Sequence, residues 1–342
     1  MRKQKVGIGI VGMGFMGTTH LLGARKLRGG KVVAIVTTDP RKARGDFRHV
    51  RGNFGEGGGK MPLDGISVHP TIDSLLEDER VDLVDVCLPS YLHAAAAIRC
   101  LEAGRHVMVE KPVALEPAAA RRMLAAARKT GNLLLVAQVL KFFPEFALIA
   151  SALGDGRWGR LLALHLFRRI SAPDWGEKSW FSDPAKSGGM VVDLHIHDTD
   201  FIVHLFGKPA AVSSEGLLRD GRVDFIRTTY RGAADGPLVT SEASWVNAPG
   251  LPFAHGYDAF FEGATLHYDS SRSAEPILHG AKGPKPLRLP KREAFHDEIE
   301  EAVRAVETGE VPARLSAASA LVSLEVCLAE EKSVRTRKLV KL

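Results

Sequence analysis

The order of elements at the N-terminal end constrains this chain more than anything else in it. Val6-Gly7-Ile8-Gly9-Ile10-Val11 reads as a buried strand, and Gly12-Met13-Gly14-Phe15-Met16-Gly17 follows at once. A helix then runs through Leu21, Leu22, Ala24 and Leu27 to a second apolar run, Val32-Val33-Ala34-Ile35-Val36. Strand, glycine motif, helix and strand within about 30 residues make one βαβ unit. The first glycine makes a tight turn, the second lets the backbone approach a pyrophosphate, and the third lets helix pack on strand with its N-terminus toward the phosphates. Dinucleotide binding is the expectation, with Gly12, Gly14, Phe15, Met16 and Gly17 at the cofactor. A second frame, Gly7-Ile8-Gly9-Ile10-Val11-Gly12, fits the same spacing but has no apolar strand before it.

An acidic residue that reads the adenosine ribose is expected about 20 residues beyond the glycines. Thr37 stands there, followed by Thr38, Asp39, Arg41 and Lys42. Without a carboxylate at Thr37 nothing at that position repels a 2′-phosphate, so NAD and NADP are both admissible and NADP is favoured. Asp39 could still reach the ribose from a displaced loop. The glycine-dense stretch 52–59 cannot form a regular element, because of the backbone entropy that it would lose, and reads as a flexible surface insertion near the adenosine end.

Further strands at 81–88, 106–109 and 133–139 alternate with helices at 91–103 and 117–129, the first of these capped by Ser90 and stopped by Gly104. That alternation predicts a doubly wound parallel sheet whose ligands gather at the carboxyl ends of its strands. Gly12, Pro89, Ser90, His93, Glu110 and Lys111 fall at or just past such ends. From 161 onward the pattern changes to strands joined by turns, at 161–168, 210–215, 223–230, 239–245 and 265–268, which predicts a largely antiparallel sheet. Residues 284–291 read as an extended crossing, and Phe295, Ile299, Val303 and Val306 as a helix ended by Gly309, with another opened by Ser316. The fold class is thus α/β: a Rossmann domain over 1–118 and an α+β domain with an open, largely antiparallel sheet over 119–342, its C-terminal helices free to pack back on the first domain. A chain of 342 residues has room for two cores.

Several function classes are excluded. A net charge of +6 with dispersed basic residues and no recognition motif does not suggest nucleic acid. No run approaches 18 apolar residues, so no membrane span is expected, and Met1 to Lys5 lead into the first strand without a signal-peptide core. Cys87, Cys100 and Cys327 have neither zinc nor disulfide spacing, which fits a reducing, cytoplasmic setting.

Two stretches carry the chemistry. Glu110-Lys111-Pro112 ends an apolar strand, and Gly188-Gly189-Met190-Val191-Val192-Asp193-Leu194-His195-Ile196-His197-Asp198 opens a helical segment. A lysine ammonium can hold a hydroxyl or carbonyl oxygen, and a histidine can exchange a proton near neutrality. Asp193 and His197 share a face if a helix begins there. A metal site built from His195, His197, Asp198, Asp200 and His204 is the competing reading, but no H-E-x-x-H occurs and these side chains diverge on most helical placements, so no metal is expected. Trp175 and Trp180, in a polar loop, are candidates for a sugar-stacking wall, whereas Trp245 sits in a strand and reads as core.

In this order, Gly12-x-Gly14-x-x-Gly17, Pro89-x-x-x-His93, Glu110-Lys111-Pro112 and Gly188-Gly189-x-x-x-Asp193-x-x-x-His197-Asp198 resemble the Gfo/Idh/MocA oxidoreductase family, and the last segment looks like that of inositol dehydrogenases. The resemblance implies nicotinamide and substrate held between a Rossmann domain and an open sheet, and dimers or tetramers formed through that sheet. It implies Lys111, Asp193 and His197 as the catalytic set, Ser90 and His93 beside the nicotinamide ribose, and a Lys111–Pro112 bond that is often cis. Substrate would meet Lys111, Gln138, Trp175, Trp180, Asp193 and His197. Two departures stand out: Thr37 replaces an acid, and Gln138-x-x-Lys141 replaces a histidine or asparagine and an arginine. The expected function is an NAD(P)-dependent oxidoreductase of a sugar, cyclitol or related polyol. The alternatives are a dinucleotide-sensing protein without turnover and an NAD-dependent glycosidase. Substrate identity, direction and oligomer size stay open.

Overall fold

A computed structural model describes residues 5–52, 58–172, 177–246, 248 and 250–342. One unit is made of Met1–Val139 and Glu293–Leu321, the other of Leu140–Arg292 and Val322–Leu342. The expected boundary at 118/119 differs from this division: it falls inside the helix Pro117–Thr130, and the strand after that helix, Leu134–Ala137, joins the first sheet.

In the first unit β1 (Val6–Val11), β2 (Gly30–Val36), β3 (Ser67–His69), β4 (Leu83–Val86), β5 (His106–Glu110) and β6 (Leu134–Ala137) form a parallel sheet in the order β3-β2-β1-β4-β5-β6. Every residue of β1, β4 and β6 is buried, as strands covered on both faces require. The order reverses beside β1, which makes the crevice at its carboxyl end the switch point where such sheets take ligands. The short edge strand β3 escapes a sequence reading, since none of its three residues is buried.

Helices α1 (Phe15–Gly23), α2 (Ile72–Leu76), α3 (His93–Glu102) and α4 (Pro117–Thr130) join these strands. In α3 the buried residues His93, Ala96, Ala97, Cys100 and Leu101 fall at the i, i+3, i+4, i+7, i+8 spacing of a core-facing stripe. Ser90 does not cap this helix by its side chain; it opens a single 3₁₀ turn that leads into it. Pro117 starts α4, where a missing N–H costs nothing, and Gly131 ends it at φ 72°.

The second unit holds α5 (Pro144–Asp155), α6 (Pro184–Ser187), α7 (Ile196–Phe206), and a sheet in the order β14-β13-β12-β11-β7-β10-β9-β8-β15. Its strands are β7 (Leu161–Arg169), β8 (Ala211–Arg219), β9 (Arg222–Arg231), β10 (Leu238–Ser244), β11 (Ala254–Phe261), β12 (Thr265–Asp269), β13 (Ile277–Gly280), β14 (Gly283–Pro286) and β15 (Val340–Lys341). Only β7 and β10 run parallel. One face packs Leu164, Leu166, Tyr257 and Leu266 against Phe146 of α5 and Phe201 of α7. The Phe146 ring meets Phe201 and Tyr257 edge-on, each at 5.4 Å, a favoured aromatic geometry. The stretch expected as an extended crossing supplies β14 at the sheet edge.

Two more helices follow, α8 (Ala294–Thr308) and α9 (Ala317–Thr336). Within the first unit α8 packs on α1, where His296 Nδ1 lies 2.9 Å from the Gly23 carbonyl. No described helix is long and apolar enough to cross a membrane.

Candidate active site

At the end of β1 the chain turns through Gly12 at φ 93°, a left-handed conformation that glycine adopts freely. A side chain at Gly17 would lie 2.0 Å from the Gly12 carbonyl, so turn and helix touch there. Gly14 differs: it is exposed, and no protein atom lies within 4 Å of where its Cβ would stand. The packing of this turn does not require glycine at that position, but a pyrophosphate against the backbone would. The first turn of α1 carries no acidic residue and no side-chain cap, leaving its N–H groups to an anion. These residues fit a dinucleotide. The rival glycine frame is excluded, since Gly7 and Gly9 lie inside β1.

At the adenosine side, the Thr37 hydroxyl accepts the Asp39 N–H at 3.2 Å. Asp39 accepts the Arg41 N–H at 2.8 Å and pairs with His49 Nε2 at 2.8 Å, and these contacts hold its pKa below the usual carboxylate value against a burial effect of opposite sign. Thr38 and Arg41 are exposed. Residues 53–57 of the glycine-rich stretch lie outside the described residues, but its ends are packed rather than loose. A Cβ at Gly52 would stand 2.1 Å from the Phe15 ring, and one at Gly58 would strike Phe47.

Past β4 and β5 the expected cofactor residues divide. Ser90 is buried after Pro89, and Lys111 is half-buried in a cis bond to Pro112. His93, expected beside the nicotinamide ribose, is buried with Nδ1 2.8 Å from the Pro112 carbonyl and Nε2 2.7 Å from the Leu88 carbonyl. Both ring nitrogens are thus committed to the main chain, and His93 staples the loop after β4 to the loop after β5. Burial lowers its pKa, with the two carbonyls opposing. Glu110, also expected at the cofactor, points inward instead. Its Oε2 accepts the Lys111 N–H at 3.0 Å and its Oε1 faces Nε2 of buried His20 at 3.1 Å. His20 Nδ1 lies 2.8 Å from Asp85 Oδ2. Burial disfavours charge on His20, but Asp85 and its neighbours outweigh it and raise the ring's pKa well above the ordinary value.

Gln138, just past β6, is 1% exposed, and neither of its amide atoms finds a hydrogen-bond partner among the described residues. Because Ala137 is in register with Glu110, Gln138 follows β6 where Lys111 follows β5. Such an orphaned buried amide costs free energy unless something else satisfies it.

In the second unit, Val191–His195 form a π-helical turn that runs straight into α7. Such turns occur often at functional sites. From Met190 to Val203 every residue is buried except His197. Asp193 sits one turn before it, at 9% exposure. His195 points into the core, with Nε2 3.2 Å from the Ser241 hydroxyl, 3.4 Å from the Tyr230 hydroxyl and 3.5 Å from Glu330. Burial pulls its pKa down to about 3, and burial drives Glu330 up to about 8. Burial thus favours the neutral form of each.

Two other members of the possible metal cluster, Asp198 and Asp200, are also committed. Asp198 receives Arg168 at 3.0 and 3.3 Å, and Asp200 pairs with Lys141 at 2.8 Å and accepts the Ser323 hydroxyl at 2.9 Å. Burial raises the Asp198 pKa while Arg168 opposes it. Among the described residues, the one group of donors close enough for a metal is His20, Asp85 and Cys87, whose close pairing leaves each already engaged. Trp180 stacks on Phe181 at 3.9 Å, and Trp175 lies outside the described residues.

A sequence reading missed His20, Asp85, Arg168 and Glu330, each of which meets its partner only after folding. A polar residue inside an apolar strand, as Asp85 is, was the available signal.

Two family models match the chain: one described as oxidoreductase family, NAD-binding Rossmann fold, over residues 6–138, and a GFO/IDH/MocA C-terminal domain over residues 146–267. The chain is 25% identical to myo-inositol 2-dehydrogenase of Thermotoga maritima over 98% of both chains. It is 28% identical to 1,5-anhydro-D-fructose reductase of Ensifer adhaerens over 63% of this chain and 62% of that enzyme. Among solved structures, levoglucosan dehydrogenase in complex with NADH and levoglucosan superposes with a TM-score of 0.82 at 21% identity over 99% of both chains, a likeness of fold.

Proposed function

Since the chain belongs to the Gfo/Idh/MocA oxidoreductase family, we propose that it transfers a hydride between a nicotinamide and a secondary alcohol or ketone of a sugar, cyclitol or related polyol. The observation that carries this reading is that His197 alone comes out of the buried run from Met190 to Val203, while the turn at Gly14 leaves backbone open to a dinucleotide.

Bound nicotinamide supplies the hydride acceptor or donor. The residues do the rest. In oxidation neutral His197 takes the proton from the reacting hydroxyl, and the Lys111 ammonium holds the oxygen as it gains negative charge. Asp193, four residues before His197, orients the ring or a neighbouring substrate hydroxyl. In reduction the imidazolium of His197 returns the proton. Gln138 offers an amide donor and acceptor to a second hydroxyl, which a polyol has and a simple alcohol lacks.

For the cofactor, we favour NADP binding at least as well as NAD. The support is Thr37 in place of an acid, Asp39 drawn to His49, and exposed Arg41 nearby.

The test is a screen of polyols, inositols, aldoses and glycosides with both cofactors, read as absorbance of reduced nicotinamide. Turnover confined to polyols and sugars supports the reading. Binding of dinucleotide with no turnover on any of them would favour a sensor, and cleavage of glycosides without net reduction would favour a glycosidase.

A further inference from the structure

His20 lies at the middle of α1, the helix that begins at the glycine turn, and it is fully buried. Asp85 and Cys87 face it from β4 and its end, Glu110 from β5, and the Phe295 ring from α8 at 6.0 Å. The two carboxylates stand on opposite nitrogens, Asp85 in a hydrogen bond at 2.8 Å and Glu110 at an ion-pair distance of 3.1 Å without a hydrogen bond to Nε2. A neutral imidazole has one N–H and would turn a lone pair toward one carboxylate, whereas the charge of an imidazolium attracts both. The second oxygen of Glu110 is the acceptor for the main-chain N–H of Lys111 at 3.0 Å. Removing charge from His20 would leave the buried carboxylates without their shared partner, and Glu110 would turn away from it. That turn removes the acceptor that fixes the backbone at Lys111.

We propose that His20 is a positioning residue: as an imidazolium held by Asp85 it fixes Glu110, and Glu110 fixes Lys111 at the end of β5. One helix thereby connects the dinucleotide turn to the lysine. The inference rests on the reading of Lys111 as the group on the reacting oxygen.

The experiment compares full-length His20→Gln, Glu110→Gln, the double variant and Lys111→Ala for kcat, KM and dinucleotide Kd, with the charge state of His20 followed by ¹⁵N NMR in the unmodified enzyme. Each single variant should lower kcat about tenfold or more, the scale of one lost hydrogen bond to a charged group, with dinucleotide Kd little changed. The double variant should be no worse than the more damaging single, because both cut the same link. The NMR signature should be that of an imidazolium at pH 7.5, a result that does not depend on whether the variants fold. Singles with unchanged kcat, losses that multiply in the double variant, or a neutral ring at pH 7.5 would overturn the proposal. If Lys111→Ala keeps its turnover, the reading of Lys111 fails and takes this inference with it; if Lys111→Ala is dead while His20→Gln is silent, only the inference fails.

Discussion

Arg168 of β7 and Asp198 of α7 form a two-point ion pair at 3.0 and 3.3 Å with both side chains buried, and Asp198 is the residue after His197. The pair therefore ties the first turn of α7, where His197 sits, to β7. Arg168→Met strands a buried carboxylate and should destabilise this unit by about 3–5 kcal/mol, whereas Arg168→Met with Asp198→Leu should recover much of that loss. Denaturant titration followed by tryptophan fluorescence measures both. A loss under about 1 kcal/mol in the single variant would mean that the pair does not hold the helix.

Lys111→Ala should lower kcat by about 10²–10³, the usual cost of one donor to a developing oxyanion, while dinucleotide affinity changes little. Stopped-flow hydride transfer alongside cofactor titration separates the two. Equal turnover in variant and parent would remove the lysine from the mechanism.

His197→Ala should lower the rate by about 10²–10⁴. His195→Ala should act mainly on stability, since its ring is enclosed by Ser241, Tyr230 and Glu330. The oxidation rate should rise with pH through the apparent pKa of His197, because oxidation needs the neutral ring, and the reduction rate should fall through the same range. Should both alanine variants keep near-normal rates in both directions, Lys111 becomes the base.

His195 and Glu330 give the second unit a pH dependence of stability with two limbs. His195 has a folded pKa of about 3 against about 6.5 unfolded, so its contribution is lost as pH falls below about 6.5. Glu330 has a folded pKa of about 8 against about 4.3 unfolded, so its contribution is lost as pH rises from about 4.3 toward 8. Between roughly pH 4.5 and 6.5 the two slopes cancel, leaving a plateau with losses on either side. In Glu330→Gln only the His195 limb is left, so stability should rise with pH up to about 6.5 and then stay flat through pH 8, read as melting temperature against pH. An alkaline limb that persists in the variant would show that another group is responsible.

Titration of NADP and NAD should give a Kd for NADP no larger than that for NAD. Arg41→Ala should weaken NADP selectively if that side chain meets the 2′-phosphate. A tenfold preference for NAD would mean that Asp39 has left His49 for the ribose.

The first sheet was legible because its physics is local. Apolar runs that are buried on both faces, a glycine turn before a helix, and Gly104 or Gly131 at helix ends all act within a few residues. The ordered motifs likewise singled out Lys111, Asp193 and His197 as candidates without coordinates. Strand β11 was not legible, since His255, Gly256 and Asp258 interrupt its run and only the buried alternation of Tyr257, Ala259 and Phe261 marks it as a strand.

Which polar residues are partners was decided by tertiary structure alone. Sequence spacing favoured His197 over His195 by its offset from Asp193, but only the packing of α7 under the sheet drew His195 into the core and left His197 partly exposed. In the same way His93 and Glu110, which sequence order puts at the cofactor, turn inward because carbonyls of Leu88 and Pro112, and the imidazole of His20, need buried partners. A buried polar group takes whatever partner the fold brings within about 3 Å, and sequence distance, 90 residues between His20 and Glu110, does not record that meeting.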